Sequence, residues 1–308
     1  MILEIINGIN MIPDGLAVAL GTFDGIHIGH TKLIENVVNY AKISGCKSCV
    51  YTFDIIPSGA KRIMNSSYRN DILEKIGVDY LYVQHFDPKF KNMTAEEFMS
   101  RFLLNAKYIS VGFDFRFGAG RQGDTEMLGE FCKKNHIKID VVEPVMYGRE
   151  PVSSTRIRKC IELADFDSAE KMLGRYFSVE GIVQHGNEIG RTIGFPTANI
   201  NVEKEVVMPP EGVYVTATEI DGCAYMSFTN YGGKPTFFNE CNILLETNVF
   251  DFEGDLYGKS IKVYFLDKIR NIEKFISADV LKEQLLADKN KSLDFFSKNG
   301  LQMKNFVV

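Results

Sequence analysis

The first half of the chain alternates short apolar runs with longer stretches whose apolar residues recur at helical spacing. Residues 16–20 form an unbroken apolar run bounded by Asp14 and Gly15, which predicts a buried strand. Behind it Leu33, Ile34, Val37, Val38 and Ala41 share one helical face, and Gly45 supplies a stop. Residues 49–53 predict the next strand, and Ile72, Leu73 and Ile76 a helix ended by Gly77. After a short strand at 80–83, Thr94 and Glu97 spell a capping box for a helix carrying Phe98, Phe102 and Leu103. A strand at 108–111 leads through a glycine-rich loop, 112–123, to a helix with Met127, Leu128 and Phe131, and 137–142 closes the series. Repeated alternation of this kind implies a parallel sheet covered on both faces, and right-handed crossovers make it Rossmann-like.

Two short helical patterns, 155–163 and 166–173, bridge to a second half of different character. There, strand-like runs dominate: 176–183, 213–220, 224–229, 243–249 and 261–266, with Asp221-Gly222 as a hairpin turn signal. A small antiparallel barrel is the expected form, followed by a helix over 278–288. The fold class is therefore an α/β Rossmann-like domain followed by a small antiparallel β-barrel domain with a C-terminal helix. The boundary is expected near Gly174 and Arg175, giving domains 1–174 and 175–308.

Composition narrows the picture without changing it. At 308 residues two domains are the better prior, and 45% hydrophobic with 24% charged residues reads as a soluble globular protein. A net charge of −5 argues against bulk attraction to nucleic acid. No apolar run approaches the ~20 residues that span a bilayer. The N-terminus has no basic segment followed by an apolar one, so no secretory leader is expected. Cysteines at 46, 49, 132, 160, 223 and 241 are scattered, which suits a reduced, cytoplasmic protein. Cys46 and Cys49 form a C-x-x-C, but no second pair exists to complete a metal site, and structural thiols are the expected reading.

The candidate chemistry starts where the first strand turns into the first helix. Residues 21–30 place Gly21, Gly25 and Gly29 beside His27 and His30. Open α/β sheets bind ligands at such a turn, and a helix N-terminus attracts anions. Three readings stand: solvated turn histidines, a metal pair, or a phosphate site for nucleotidyl transfer, in which donors stabilise charge growing on phosphate oxygens. Ser153, Ser154, Thr155 and Arg158 open another helix; they serve either as caps or as a clamp for further phosphates. The loop 112–118 reads equally as an aromatic segment packed on the core or as a pocket for a flat substrate guided by Asp114 and Arg116.

In the second half, the run Gly186 to Asn199 tempts a P-loop reading. Its spacing is one residue short, arginine replaces lysine, and Gly194-Phe195-Pro196 blocks the helix that should follow. It remains a glycine-rich loop able to wrap phosphates. Thr197 and Asn199 lie two apart in an extended segment, so their oxygens share a side and suit Mg²⁺ with ATP phosphates. Glu246 lies in a strand-like stretch and by periodicity alone is unremarkable.

Taken together these stretches resemble the bacterial bifunctional riboflavin kinase/FMN adenylyltransferase family, also called FAD synthetase. The resemblance runs over nearly the whole chain: 21–30, 111–124 (VGFDFRFGAGRQGD), 152–158 (VSSTRIR), 190–200 (GRTIGFPTANI), 230–237 (NYGGKPTF) and 245–259 (LETNVFDFEGDLYGK), in one order. It implies that the barrel transfers the γ-phosphoryl of ATP to the 5′-hydroxyl of riboflavin, with Thr197 and Asn199 holding Mg²⁺ and Glu246 as general base. It implies that the first domain then joins AMP from ATP to FMN, giving FAD and pyrophosphate, with His27 and His30 at the transferring phosphate. Gly21, Phe23, Gly29, Ser154, Thr155 and Arg158 would bind nucleotide there, and Gly186, Gly190 and Gly194 in the barrel. Asp114 and Arg270 would contact flavin or nucleotide, Arg270 from a closing loop. Partners implied are riboflavin, FMN, FAD and ATP, with no nucleic acid or membrane.

Three positions depart from the family's pattern. Phe53-Asp54-Ile55-Ile56-Pro57 stands where Phe-x-Pro-His-Pro is usual; Asn248 replaces histidine; Ile272 replaces glutamate. The rival readings are a riboflavin kinase with a weakened first domain and a non-catalytic flavin-binding regulator.

Overall fold

The computed structural model describes residues 2–7, 13–186, 194–232 and 242–306. The chain divides into two compact units: residues 1–62 with 66–154, and residues 63–65 with 155–308. The linking helices α6 (Ser154–Glu162) and α7 (Phe166–Leu173) thus group almost wholly with the second unit, whereas the sequence places the division at Gly174. The reason is aromatic packing. Phe166 of α7 lies buried against Phe177, Tyr214 and Phe265, with ring centroids 5.8–6.3 Å away.

The first unit is a six-stranded parallel sheet built from β1 (Glu4–Asn7), β2 (Ala17–Leu20), β3 (Ser48–Phe53), β4 (Tyr80–Gln84), β5 (Tyr108–Gly112) and β6 (Lys138–Val142). The order is β1-β4-β3-β2-β5-β6, every pair parallel. β1 is an added edge strand that the apolar pattern does not announce; its four residues are all at least partly exposed. Without it the order is that of a doubly wound nucleotide-binding sheet, with its reversal between β2 and β5. Loops leaving the carboxyl ends of β2 and β5 therefore flank the crevice where such sheets take ligands.

The helices follow the expected faces. Leu33, Ile34, Val37, Val38 and Ala41 of α1 (Ile28–Ser44) are buried, and Gly45 ends it at φ 68°. α2 (Ser66–Ile76) buries Tyr68, Ile72 and Leu73. A short turn, α3 (Pro88–Lys91), precedes α4 (Ala95–Phe98), whose Thr94–Glu97 capping box forms in both directions. A π-helical turn then takes over at Met99–Leu103 and keeps Met99, Phe102 and Leu103 in the core beside Phe98. α5 (Thr125–Lys134) and the small hairpin β7 (Met146–Tyr147) with β8 (Glu150–Pro151) complete the unit.

The second unit is a closed barrel in the order β10-β13-β12-β11-β14-β9. Its strands are β9 (Ser178–Gln184), β10 (Ala198–Glu203), β11 (Gly212–Ile220), β12 (Cys223–Tyr231), β13 (Asn242–Val249) and β14 (Ser260–Arg270). β10 is the strand missing from the sequence reading. Ile200 and Val202 point inward while Asn199 and Asn201 point outward, a short alternation easily taken for a loop. Asp221 and Gly222 both have positive φ, 50° and 77°, as a two-residue hairpin turn requires. Part of the interior is polar: Thr216, Thr218, Ser227, Thr229 and Thr247 are fully buried and bond one another at 2.8–2.9 Å, so none of these hydroxyls is left unsatisfied. The C-terminal helix, α8 (Ala278–Lys298), runs ten residues past the expected end at Asp288.

Cys46, Cys49, Cys132, Cys160 and Cys223 are free thiols; Cys241 lies outside the described residues. Burial leaves Cys49 wholly enclosed and pushes its thiol up to about 12, the behaviour of a structural residue rather than a reactive one.

Candidate active sites

In the first unit the site grows out of β2. That strand is entirely buried, and its chain must leave the sheet and enter α1 within a few residues. It does so through a strained turn. Phe23, Gly25 and Ile26 all have positive φ, 46°, 80° and 33°. For phenylalanine and a β-branched isoleucine this conformation costs of order 1–3 kcal/mol each. Complete burial of both side chains offsets that cost. Side chains brace the turn: Thr52 Oγ1 donates to the Thr22 carbonyl and Ser154 Oγ to the Asp24 carbonyl, each at 2.8 Å. Ser154 thus acts here through the turn itself.

His27 caps α1. Its ring Nδ1 accepts the backbone N–H of His30 at 3.2 Å, which assigns the proton of the neutral ring to Nε2. The two imidazoles stack, centroids 3.6 Å apart and 15° from parallel, and His30 meets the edge of Phe23 at 5.2 Å. Gly29 makes this possible: a Cβ there would stand 3.2 Å from His27 Cε1 and Nδ1. Gly21 is equally confined, since a Cβ would lie 3.1 Å from the Phe23 ring. The sequence-predicted residues Gly21, Phe23, His27, Gly29 and His30 therefore form one packed cluster at a helix N-terminus, with Ser154 behind it. Thr155 is exposed and Arg158 half-buried on α6.

The loop after β5 divides its aromatic residues between core and surface. Phe117 is buried and Phe115 packs with it, centroids 5.5 Å apart, while Phe113 and Asp114 are exposed. Arg116 is held by Asp124, the N-cap of α5, at 2.8 Å, so Asp114 is the polar group this loop presents.

Two arginines escaped sequence reasoning. Arg62 donates to the Asp54 carbonyl at 2.7 Å and Arg69 to the Phe53 carbonyl at 3.5 Å, so both grip the segment that departs from the family pattern. Burial first, then the Arg62 charge, pull the Arg69 guanidinium down to about 10 against the opposing charge of Asp24. Asp24 itself is 6% exposed. No periodicity marks these residues, because neither arginine lies in a glycine-rich or apolar signature.

In the second unit the site is a row across the barrel wall. Glu246 of β13 pairs directly with Asn199 of β10 on one side and with Asn230 of β12 on the other. Directly opposite residues share a face. Leu245 and Thr247 turn inward, so Glu246 turns out. Asn230 Nδ2 donates to Glu246 Oε2 at 3.3 Å. Asn199 lies so close to Gly186 that a Cβ on that glycine would sit 2.1 Å from its amide nitrogen. Gly186 therefore serves the placement of Asn199. Gly194 adopts φ 86° before the turn to Pro196, and Asn248 Nδ2 donates to the Pro196 carbonyl at 2.7 Å. Gly190 and the rest of 187–193 lie outside the described residues, as do 233–241.

Arg270 is not on a loop: it is the last residue of β14, and its guanidinium is committed to a carboxylate. Nε and Nη2 donate to Asp288 of α8 at 2.8–3.1 Å, and Nη1 to the Asn271 carbonyl at 3.1 Å.

A nucleotide-binding type of sheet with a strained, histidine-capped phosphate-type turn, joined to a barrel bearing a carboxylate between two amides, places the chain among two-domain transferases. Family patterns divide along the same line: "FAD synthetase" matches residues 9–156 and "Riboflavin kinase" residues 173–296. Proteins described as bifunctional riboflavin kinase/FMN adenylyltransferase align along almost their full length. That of Haemophilus influenzae is 34% identical over 96% of this chain and 100% of its own. That of Bacillus subtilis is 33% identical over 91% and 92%, and that of Escherichia coli K12 33% over 96% and 98%. A solved structure from Streptococcus pneumoniae, titled a macrolide-efflux protein, superposes with a TM-score of 0.82 at 35% identity, covering 95% of this chain and 99% of its own. The chain belongs to the bifunctional riboflavin kinase/FMN adenylyltransferase family. Among the described residues no helix is long and apolar enough to cross a membrane.

Proposed function

We propose that the barrel unit phosphorylates riboflavin to FMN and the parallel-sheet unit adenylylates FMN to FAD, each using ATP. The observation that carries the first half is the register of β10, β13 and β12, which sets Glu246 between Asn199 and Asn230. Glu246 takes the proton of the 5′-hydroxyl as that oxygen bonds to the γ-phosphorus. The bond from γ-phosphorus to the β–γ bridging oxygen breaks, and its electron pair leaves with ADP.

Mg²⁺ fits this wall by the chemistry of its donors. Thr197 and Asn199 offer neutral oxygens on one side of an extended segment, and Gly186 lets the Asn199 amide sit flush. A hard cation that keeps several waters and takes phosphate oxygens suits such a sparse set. Among the described residues no three His, Cys, Asp or Glu side chains converge into a separate cage. When bound, the ion neutralises charge on the ATP phosphates. Gly186, Gly190 and Gly194 are assigned to the phosphate loop.

In the first unit His27 and His30 are assigned to the α-phosphate of ATP, where oxygen of the FMN phosphate attacks and pyrophosphate leaves. Gly21, Phe23 and Gly29 shape that turn, Ser154, Thr155 and Arg158 are assigned to the triphosphate, and Asp114 to flavin or nucleotide. Arg270 is assigned to flavin or nucleotide through Nη1. As functional domains we take 1–174 and 175–308, while as compact units helices α6 and α7 group almost wholly with the second. Free thiols among the described residues support a cytoplasmic enzyme, with small molecules as its partners.

One incubation tests the whole reading: riboflavin, ATP and Mg²⁺, with the products resolved. FAD is expected. FMN alone points to a kinase with a weakened first unit, and no conversion to a flavin-binding regulator.

A further inference from the structure

We propose that Asn230 is the positioning residue of the kinase base and a hydroxyl acceptor for the sugar-alcohol chain of the flavin. The inference rests on Glu246 being that base. Asn230 ends the outward row from Asn199 through Glu246, and its side chain is half-buried beside the carboxylate. A carboxylate offers only acceptors, so the amide must turn its nitrogen toward Glu246, as the 3.3 Å contact shows. That contact fixes Oε2 and leaves Oε1 to meet the reacting hydroxyl. It also turns Asn230 Oδ1 the opposite way. Oδ1 is buried with no hydrogen-bond partner among the described residues.

A buried acceptor without a donor is costly unless a ligand completes it. The donor must be an O–H or N–H group reaching the base at the same time. Riboflavin carries a run of hydroxyls beside its 5′-hydroxyl, so one flavin side chain can supply the reacting proton to Glu246 and a neighbouring donor to Asn230. The same amide would then orient the base and read the polyol, linking catalytic rate to substrate choice.

The test uses the full chain with two substitutions measured beside Glu246→Gln. Asn230→Asp has the same shape, but places a second carboxylate against the first. The pair then resists full ionisation, so the acidic limb of the kcat profile for FMN formation moves to higher pH. Asn230→Ala is expected to lower kinase kcat about 10- to 100-fold and raise the KM for riboflavin, leaving the KM for ATP within about twofold. Conversion of added FMN to FAD reports on the folded state and stays unchanged in all three. An unshifted pH profile in Asn230→Asp, or a wild-type riboflavin KM in Asn230→Ala, overturns the role of Asn230 while the base stands. Retention of FMN formation by Glu246→Gln overturns the base itself, and the inference with it.

Discussion

His27 accepts the backbone N–H of His30 through Nδ1 while the two rings stack 3.6 Å apart, so one residue both starts a helix and orients the neighbouring imidazole. These roles are separable. His27→Asn keeps a good N-cap and should retain stability, whereas His27→Ala should lose about 1 kcal/mol. Both should lower FMN-to-FAD conversion about 100-fold or more, because neither supplies an imidazole donor to the transferring phosphate. His30→Ala should match that loss without the capping cost. Riboflavin phosphorylation should be untouched in all three. Thermal melts and separate assays of the two reactions check this, and an active His27→Asn enzyme would reduce His27 to a helix cap.

Asn248 stands where the family usually has histidine, and its amide ties the Pro196 carbonyl to β13. Thr197 and Asn199 follow immediately, so the bond sets where the proposed Mg²⁺–ATP ligands begin. Pro196 is exposed, and water can take over its carbonyl when Asn248 is truncated. Asn248→Ala should therefore cost no more than about 1 kcal/mol in stability. Loss of the tether should raise the KM for MgATP about tenfold, roughly 1.4 kcal/mol of binding, with little change in FMN-to-FAD conversion. Titrating ATP at saturating riboflavin measures it; an unaltered KM would mean that the turn holds itself.

The sequence made some of this legible and hid the rest for identifiable reasons. β2, β3 and β5 were readable because buried parallel strands are nearly continuous apolar runs. α1 was readable because its buried face is apolar throughout and Gly45 ends it. α8 was legible only as far as Asp288, because its inward face past that point is carried by Asp288, Ser292 and Phe296, two of them polar. A buried carboxylate with an arginine partner leaves no trace in an apolar pattern. Likewise motifs could give roles to His27, His30 and Glu246, whereas Asn230 stands in the sequence only as the first residue of NYGGKPTF, with no role attached. Its importance comes from strand register, which pairs residues sixteen apart in sequence. Arg62 and Arg69 were missed because they act on backbone carbonyls, and any long basic side chain looks alike in a sequence.

The altered segment Phe53 to Pro57 is held by a titratable pair. Asp54 Oδ2 bonds His85 Nδ1, and Asp54 Oδ1 accepts the Phe86 N–H at 3.0 Å. The hydrogen bond to Asp54, with its charge, raises the pKa of His85. Partial burial tends to raise that of Asp54, but His85 and the backbone N–H groups outweigh it and lower it. The signs define a window. The histidine's contribution is full below its unfolded value of about 6.5 and is lost as pH rises through the raised folded value. The aspartate's is present above its unfolded value of about 3.9 and is lost as pH falls through the lowered one. The tether should thus hold in mildly acidic solution and slacken as pH rises through the raised value of His85. An NMR titration of the His85 ring should show a midpoint above that of an unfolded peptide and a return toward it in Asp54→Asn. A midpoint indifferent to that substitution would leave the pair without a role in holding the segment.

Arg270 and Asp288 join the end of the barrel wall to the C-terminal helix. The Asp288 side chain is fully buried, Gln284 donates to its Oδ1 at 2.8 Å, and Arg270 donates from both Nε and Nη2. Asp288→Ala would strand a guanidinium that is itself 13% exposed, and should cost about 3–5 kcal/mol. Replacing both partners by apolar residues, as in Arg270→Met with Asp288→Leu, should recover most of that loss, since no charge then remains buried. The double variant also separates packing from binding. Among the described residues Nη1 bonds only the Asn271 carbonyl, at an exposed position where a ligand oxygen can replace it. If Arg270 serves the flavin or nucleotide as proposed, the double variant melts close to the wild type yet keeps a raised KM for one of those substrates. Full recovery of both melting temperature and kinase KM values would make the residue purely a strut between β14 and α8.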